Sequence, residues 1–188
     1  MGHGSAGSAT APTPHSNSPQ QRGSRPFVPA RPTATPSHST VRRHPGFTDA
    51  VIAAAQASQR QTGIPASITL AQFGFESGYG RSMPPGSNNP FGIKAKPGEP
   101  FVLAHTLEEV GGRKIPTIAK FKIYKSLAEA FTDHARVLQS PIYDHARSAR
   151  TSAEFADRLT HVYASDSRYG SVLKSIIRHN NLDELNVH

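Results

Sequence analysis

The stretch after Pro65, Ala66-Ser67-Ile68-Thr69-Leu70-Ala71-Gln72-Phe73-Gly74-Phe75-Glu76-Ser77-Gly78-Tyr79-Gly80, limits the possible folds more than any other part of the chain. Its apolar residues lie nearly all round a helical wheel, so a helix here must be central, with neighbours on every side. Proline opens it and the glycines after Ser77 stop it, because glycine accepts most readily the left-handed turn that commonly ends a helix. A carboxylate at the C-terminal end of such a helix is opposed by the macrodipole, and Glu76 stands there. Either it is an exposed helix terminus or its placement serves a chemical purpose.

Around this helix the pattern gives a mainly helical α+β domain. Phe47, Val51, Ala54, Ala55 and Ser58 share one face of a preceding helix that ends before Thr62-Gly63. Residues 81 to 100, rich in Pro, Gly and Asn, form an irregular loop. From Thr117 to Tyr124 the chain alternates, with Ala119, Phe121 and Ile123 opposite Lys120 and Lys122. A half-buried strand is predicted there, with Phe101 to Thr106 as its hairpin partner. Ser126-Leu127-Ala128-Glu129 and Thr151-Ser152-Ala153-Glu154 are capping boxes that open two more helices, which gives their glutamates a structural role. A last helix puts Tyr169, Val172, Leu173, Ile176 and Ile177 on one face, and Asp166 is expected to cap it.

Residues 1–45 differ in kind. They hold eight of the sixteen prolines, one aromatic residue, and five arginines with no Asp or Glu. That gives +5 of the formal +8 and leaves +3 for residues 46–188. Such a segment cannot bury enough apolar surface to offset chain entropy, so it is expected to be a disordered basic tail. It is either a tether with affinity for anionic surfaces or a plain solubilising tail. No basic run followed by an apolar core marks a Sec signal, and no stretch is long and apolar enough for membrane insertion. There are no cysteines, and the ten histidines are scattered without metal-ligand spacing, so neither disulfide nor metal is expected. No recognition-helix signature accompanies the basic tail, so specific nucleic-acid binding is not expected.

Cleaving a glycosidic bond needs a proton donor that stays protonated near neutrality. A glutamate on a buried apolar helix meets that need, because burial disfavours its charged form. Gln72 lies one turn earlier on the same face, within reach of the carboxyl or of a sugar.

Five segments taken together resemble the successive motifs of the flagellar-type endo-β-N-acetylglucosaminidases, glycoside hydrolase family 73. They are residues 71–80 around Glu76, Asn88-Asn89-Pro90-Phe91-Gly92-Ile93-Lys94, Thr106-Leu107-Glu108, Phe121-Lys122-Ile123-Tyr124, and Tyr163-Ala164-Ser165-Asp166-Ser167-Arg168-Tyr169. They occur in family order across residues 47–182. The resemblance implies a lysozyme-like domain over residues 46–188, its cleft flanked by the small hairpin lobe, and cleavage of the β-1,4 bond between N-acetylglucosamine and N-acetylmuramic acid without a cofactor. It implies Glu76 as general acid and Glu108 as second carboxylate on the hairpin lobe. Tyr163 would line the site, with Asn89, Phe91 and Gly92 shaping the cleft floor. Tyr79, where the family more often has tryptophan, would give a sugar ring an aromatic platform, and Gln72 and Asp166 are further substrate-binding candidates. Whether Glu108 activates water, attacks as nucleophile or stabilises charge depends on a separation that sequence does not give.

Such an enzyme acts on peptidoglycan strands in the periplasm or at the cell wall. With no Sec signal visible in this sequence, it would need phage lysis, a contractile secretion machine, flagellar export or a region upstream of the sequence. If it is an antibacterial toxin, its producer needs an immunity protein. A catalytically silent peptidoglycan-binding module, or a muramidase or lytic transglycosylase on the same fold, are the alternatives.

Overall fold

The computed structural model describes residue 44 and residues 46–110 and 113–187, without the side chains of 108–110 and 114. The basic segment before residue 44 lies outside the described residues.

Helix α1 runs Asp49–Thr62 and α2 Ala66–Ser77. The Thr48 hydroxyl caps α1 by accepting from the Val51 N–H at 3.3 Å, so Phe47 sits just before the helix rather than within it. The residues predicted to face the core, Val51, Ala54, Ala55 and Ser58, are buried. In α2 every residue from Ala66 to Gly74 is buried, as a central helix requires, and Gly78 ends it at φ 56°. Helices α3 (Leu127–Val137), α5 (Ser152–Leu159) and α6 (Tyr169–His179) pack around α1 and α2; α4 is the short turn Asp144–Arg147 between α3 and α5. Among the described residues no helix is long and apolar enough to cross a membrane.

The capping boxes are half as predicted. Ser126 and Thr151 accept from the N–H groups of Glu129 and Glu154, but each glutamate reaches one residue further back, to the N–H of Lys125 (2.8 Å) and Arg150 (2.8 Å). Asp166 does not cap α6 directly. It accepts from the Arg168 N–H at 2.8 Å and pairs with the Arg168 guanidinium, folding the chain into the turn that precedes the helix.

Strands β1 (Phe101–Val110) and β2 (Arg113–Lys122) form one antiparallel hairpin, with Ala104 opposite Ala119 and Phe101 opposite Lys122. It is longer at its tip than the alternation suggested. Pro116 hides the outer part of β2 from a sequence reading, because proline cannot donate to a ladder; in a two-stranded sheet each strand has an open edge that can take the missing donor. At the other end Ile123 and Tyr124 leave the strand to bond Pro100 and Ser87.

The two faces of the hairpin differ. Ala119 and Phe121 turn inward, whereas Leu103, Leu107 and Ile118 are 64%, 61% and 59% exposed on the outward face. The base is tied down. Ala95 donates to Lys120 and Lys122 to Ile93, and the Asn89 amide donates to the carbonyls of Ile93 (2.8 Å) and Lys122 (3.0 Å) while accepting from the Ile93 N–H. Lys122 also pairs with Glu99 (2.9 Å) and Asp133 (3.0 Å), joining hairpin to α3.

Helices α5 and α6 meet at Gly170, where an added Cβ would lie 2.6 Å from the Ala156 carbonyl and 2.6 Å from the Thr160 hydroxyl. Gly170→Ala is therefore expected to lower stability by about 1–3 kcal/mol through overpacking, read as a fall in the urea midpoint at unchanged slope.

Candidate active site

The end of α2, the loop through Met83, Pro84 and Gly92, and the inward face of the hairpin enclose a cleft of about 400 Å³. Glu76 lines it, with Asn89 and Gly92 on the loop side and Ala104, His105 and Thr106 on β1. A second cavity of about 310 Å³ lies beside Lys122, Tyr124 and Asp133. Those three groups already satisfy one another, with the Tyr124 hydroxyl donating to Asp133 at 2.7 Å.

The Glu76 side chain as a whole is open to the cleft, yet its carboxyl is crowded by protein on its other sides. Desolvation pushes its pKa above the ordinary carboxylate value, and the Tyr169 hydroxyl, donating to Oε1 at 3.3 Å, pulls the other way. Behind it stand three tyrosines. Tyr163 stacks on Tyr169 with centroids 5.4 Å apart and planes at 19°, and Tyr143 lies 6.4 Å from Tyr163. Burial raises the phenol pKa of all three, and the nearby Glu76 charge adds to the rise at Tyr163 and Tyr169.

Gln72 is fully buried and does not line the cleft, and its link to the carboxyl is indirect. Its Nε2 donates to the Tyr169 hydroxyl at 3.0 Å, and its Oε1 faces His134 Nε2 at 2.9 Å. Phe91 is not in the cleft floor either; it stacks flat on His134, centroids 3.9 Å apart and planes at 5°. His134, buried and held from protonation, has its pKa pushed down to about 3.

Tyr79 departs furthest from expectation. Its φ is 61°, and its ring packs against Phe47 at 5.3 Å and against the bare backbone of Gly46 and Gly74, where any Cβ would come within 2.7 and 3.0 Å of it. It braces the end of α2 and does not line the cleft beside Glu76. Asp166 is engaged with Arg168 rather than with the cleft. Asn89 and Gly92 lie at the cleft wall, the Asn89 amide being committed to the backbone of Ile93 and Lys122. Glu108 and Glu109 belong to β1, opposite Ile115 and Lys114, and their side chains lie outside the described residues. Among the described residues no cluster of three or more His, Cys, Asp or Glu is arranged to hold a metal ion.

The profile of the glucosaminidase family, described as mannosyl-glycoprotein endo-beta-N-acetylglucosaminidase, matches residues 52–182. The chain belongs to this family. It is 33% identical over 133 residues to the peptidoglycan hydrolase FlgJ of Salmonella typhimurium, covering 66% of this chain and 42% of that protein. It is 30% identical over 146 residues to a probable N-acetylmuramidase of Lactococcus lactis, covering 72% of this chain and 33% of the relative. The chain thus spans less than half the length of either. A mutant peptidoglycan hydrolase from Sphingomonas sp. A1 has a similar structure, with a TM-score of 0.63 at 30% identity over 73% of this chain and 94% of that one. The five motifs that carried the resemblance fall within the matched span, and four of them, on α2, the loop and the two strands of the hairpin, contribute residues to the cleft lining.

Proposed function

We propose that this glucosaminidase-family domain hydrolyses peptidoglycan glycan strands at the β-1,4 bond between N-acetylglucosamine and N-acetylmuramic acid, with Glu76 as general acid. The observation that carries the reading is a cleft-lining carboxyl whose pKa is raised by its surroundings, standing in the family's Glu-Ser-Gly-aromatic-Gly motif. As the bond to the leaving sugar stretches, Glu76 gives its proton to the departing oxygen and positive charge builds on the ring left behind. That charge needs a partner: Glu108, or the acetamido group of the same sugar. Tyr163, whose phenol feels the Glu76 charge, would hold that group or the attacking water. The place of action is the cell wall, outside the cytoplasm.

The Lactococcus relative, a probable N-acetylmuramidase, supports a second reading, cleavage of the other β-1,4 bond of the strand. Digestion of purified peptidoglycan followed by borohydride reduction and mass spectrometry separates the two. N-acetylglucosaminitol ends support the proposal, and N-acetylmuramitol ends would make the protein a muramidase. Anhydromuramyl ends, which borohydride does not reduce, would make it a lytic transglycosylase, and the absence of any new end, with binding to the same sacculi retained, would leave only a binding module.

Position 108 falls in the same two-residue row of β1 as Ala104 and Thr106, two of the three β1 residues that line the cleft, and position 109 falls in the row of the third, His105, whose other members Leu103 and Leu107 are on the outward face. Glu108→Gln is therefore expected to lower turnover by about tenfold or more with little change in stability, and Glu109→Gln to stay within severalfold of the parent. The rate of reducing-end release from one peptidoglycan preparation measures both. A crippled Glu109→Gln beside an active Glu108→Gln would put the register off by one. If neither matters, the acetamido group becomes the leading partner of Glu76.

A further inference from the structure

Three hydrogen bonds in series lead from the interior to Glu76, and they run in one direction. Gln72 Nε2 donates to the Tyr169 oxygen, so the amide oxygen is the atom that meets His134. An oxygen there requires a proton on His134 Nε2, and a neutral imidazole then leaves Nδ1 bare. Having accepted from Gln72, the Tyr169 oxygen keeps its own proton for Glu76 Oε1. With the amide turned the other way, Tyr169 would donate to Gln72 and could not also donate to the carboxylate. Both Gln72 and His134 are buried, and a buried polar chain is retained only at a desolvation cost that apolar residues would avoid. This chain opens to solvent at one point, the Glu76 carboxyl. Its members are also clamped by rings: His134 against Phe91, and Tyr169 between Tyr163 and the edge of Phe75.

We propose that His134, Gln72 and Tyr169 are positioning residues for Glu76, forming a relay that holds Oε1 as an acceptor and so keeps the transferable proton on Oε2. The use made of that proton rests on the reading of Glu76 as the acid; the relay itself does not. When Glu76 has lost its proton to the leaving group, the Tyr169 hydroxyl is already aimed at the new charge and needs no reorganisation. The other titratable groups facing this chain are Tyr163 ahead of α6, Tyr143 behind it, Asp133 next to His134 on α3, and His105 on β1 across the cleft.

The test uses the full chain in two spectroscopic measurements and one kinetic one. In protein labelled with ¹⁵N-histidine, the ring of His134, assigned by its loss in His134→Asn, should be neutral with the proton on Nε2 throughout the titration of Glu76. A proton on Nδ1, or an imidazolium, would overturn the relay without any variant having to fold. In protein labelled with ¹³C at the glutamate carboxyls, the Glu76 signal is identified by its loss in Glu76→Gln. Its midpoint should move to higher pH in Tyr169→Phe, which removes only a hydroxyl, and by a smaller amount in the same direction in Gln72→Met. A midpoint that stays in place in both folded variants would reduce the chain to packing. Turnover should fall about tenfold in Tyr169→Phe with KM nearly unchanged, since the lost bond strengthens as charge develops on Glu76. Were Glu76→Gln to keep its activity, the acid reading would fall while the carboxyl titration would still judge the relay.

Discussion

Glu76→Gln is expected to fold as the parent does and to lose at least about a hundredfold in turnover, since a positioned general acid contributes roughly 10² to 10⁴. The substitution is nearly isosteric, and its amide oxygen can still accept from Tyr169, so the bond now made at 3.3 Å has a counterpart. What it removes is the acidic proton. It also removes a carboxyl that the surroundings desolvate, so thermal stability should not fall, and near neutral pH it should rise slightly. The parent should show the matching pH behaviour. A raised carboxyl pKa keeps the acid protonated further toward neutrality than an ordinary glutamate, and the rate should decline as pH climbs through that value. Reducing-end release measured across pH for both proteins checks the pair of expectations. A folded Glu76→Gln with near-parental turnover would remove Glu76 from the mechanism.

The second large effect is on stability in acid. His134 has a pKa of about 3 in the folded chain against 6.5 in the unfolded one, because burial excludes its charged form. Between those values the unfolded state holds a proton that the folded state refuses, so stability drops as pH falls from about 6.5 toward 3 and is fully present above 6.5. Asp133 acts in the same sense below its ordinary 3.8: burial pushes it up, but bonds from Tyr124 and Lys122 outweigh that and leave it lowered. Glu76, whose pKa is raised, acts in the opposite sense, its contribution fading as pH rises above the ordinary 4.5. Urea midpoints collected from pH 3 to 8 should therefore fall steeply on the acid side. In His134→Asn that slope should flatten, at the expense of lower stability near pH 7. An equally steep slope in the variant would mean that the acid sensitivity arises elsewhere.

What could be read from sequence and what could not divides along chain distance. Helix α2, its stop and the carboxylate at its end were all visible because they depend on residues next to one another: a proline, apolar residues nearly all round the wheel, a glycine at the left-handed position. The capping hydroxyls of Ser126 and Thr151 were visible for the same reason. The support behind Glu76 was not. Gln72 meets His134 62 residues away and Tyr169 97 residues away, and nothing in the local pattern of either partner tells them from ordinary core residues. The one available hint was Gln72 itself, since an amide on an all-apolar helix must find both a donor and an acceptor somewhere. Tyr79 misled for a related reason: an aromatic residue among glycines suits a sugar platform, and equally suits packing against backbone that carries no Cβ. In the hairpin the sequence reading stopped at Pro116, although a proline on an open-edged strand costs no ladder bond.

The outward face of the hairpin carries a consequence for handling the protein in concentrated solution. Leu103, Leu107 and Ile118 form an apolar strip, and among the described residues no further strand pairs along the outer edge of β1. An edge with free backbone groups beside exposed leucine and isoleucine is where two folded molecules would first adhere, strand to strand, with no unfolding needed. Lys120 shares that face, its ammonium 4.5 Å from the Phe101 ring, and places a positive charge on the strip. Colloidal stability therefore depends on a few side chains of the thinnest element in the molecule. Salt, which screens that charge and favours apolar contact, should promote association through the hairpin while leaving the helical body as it was.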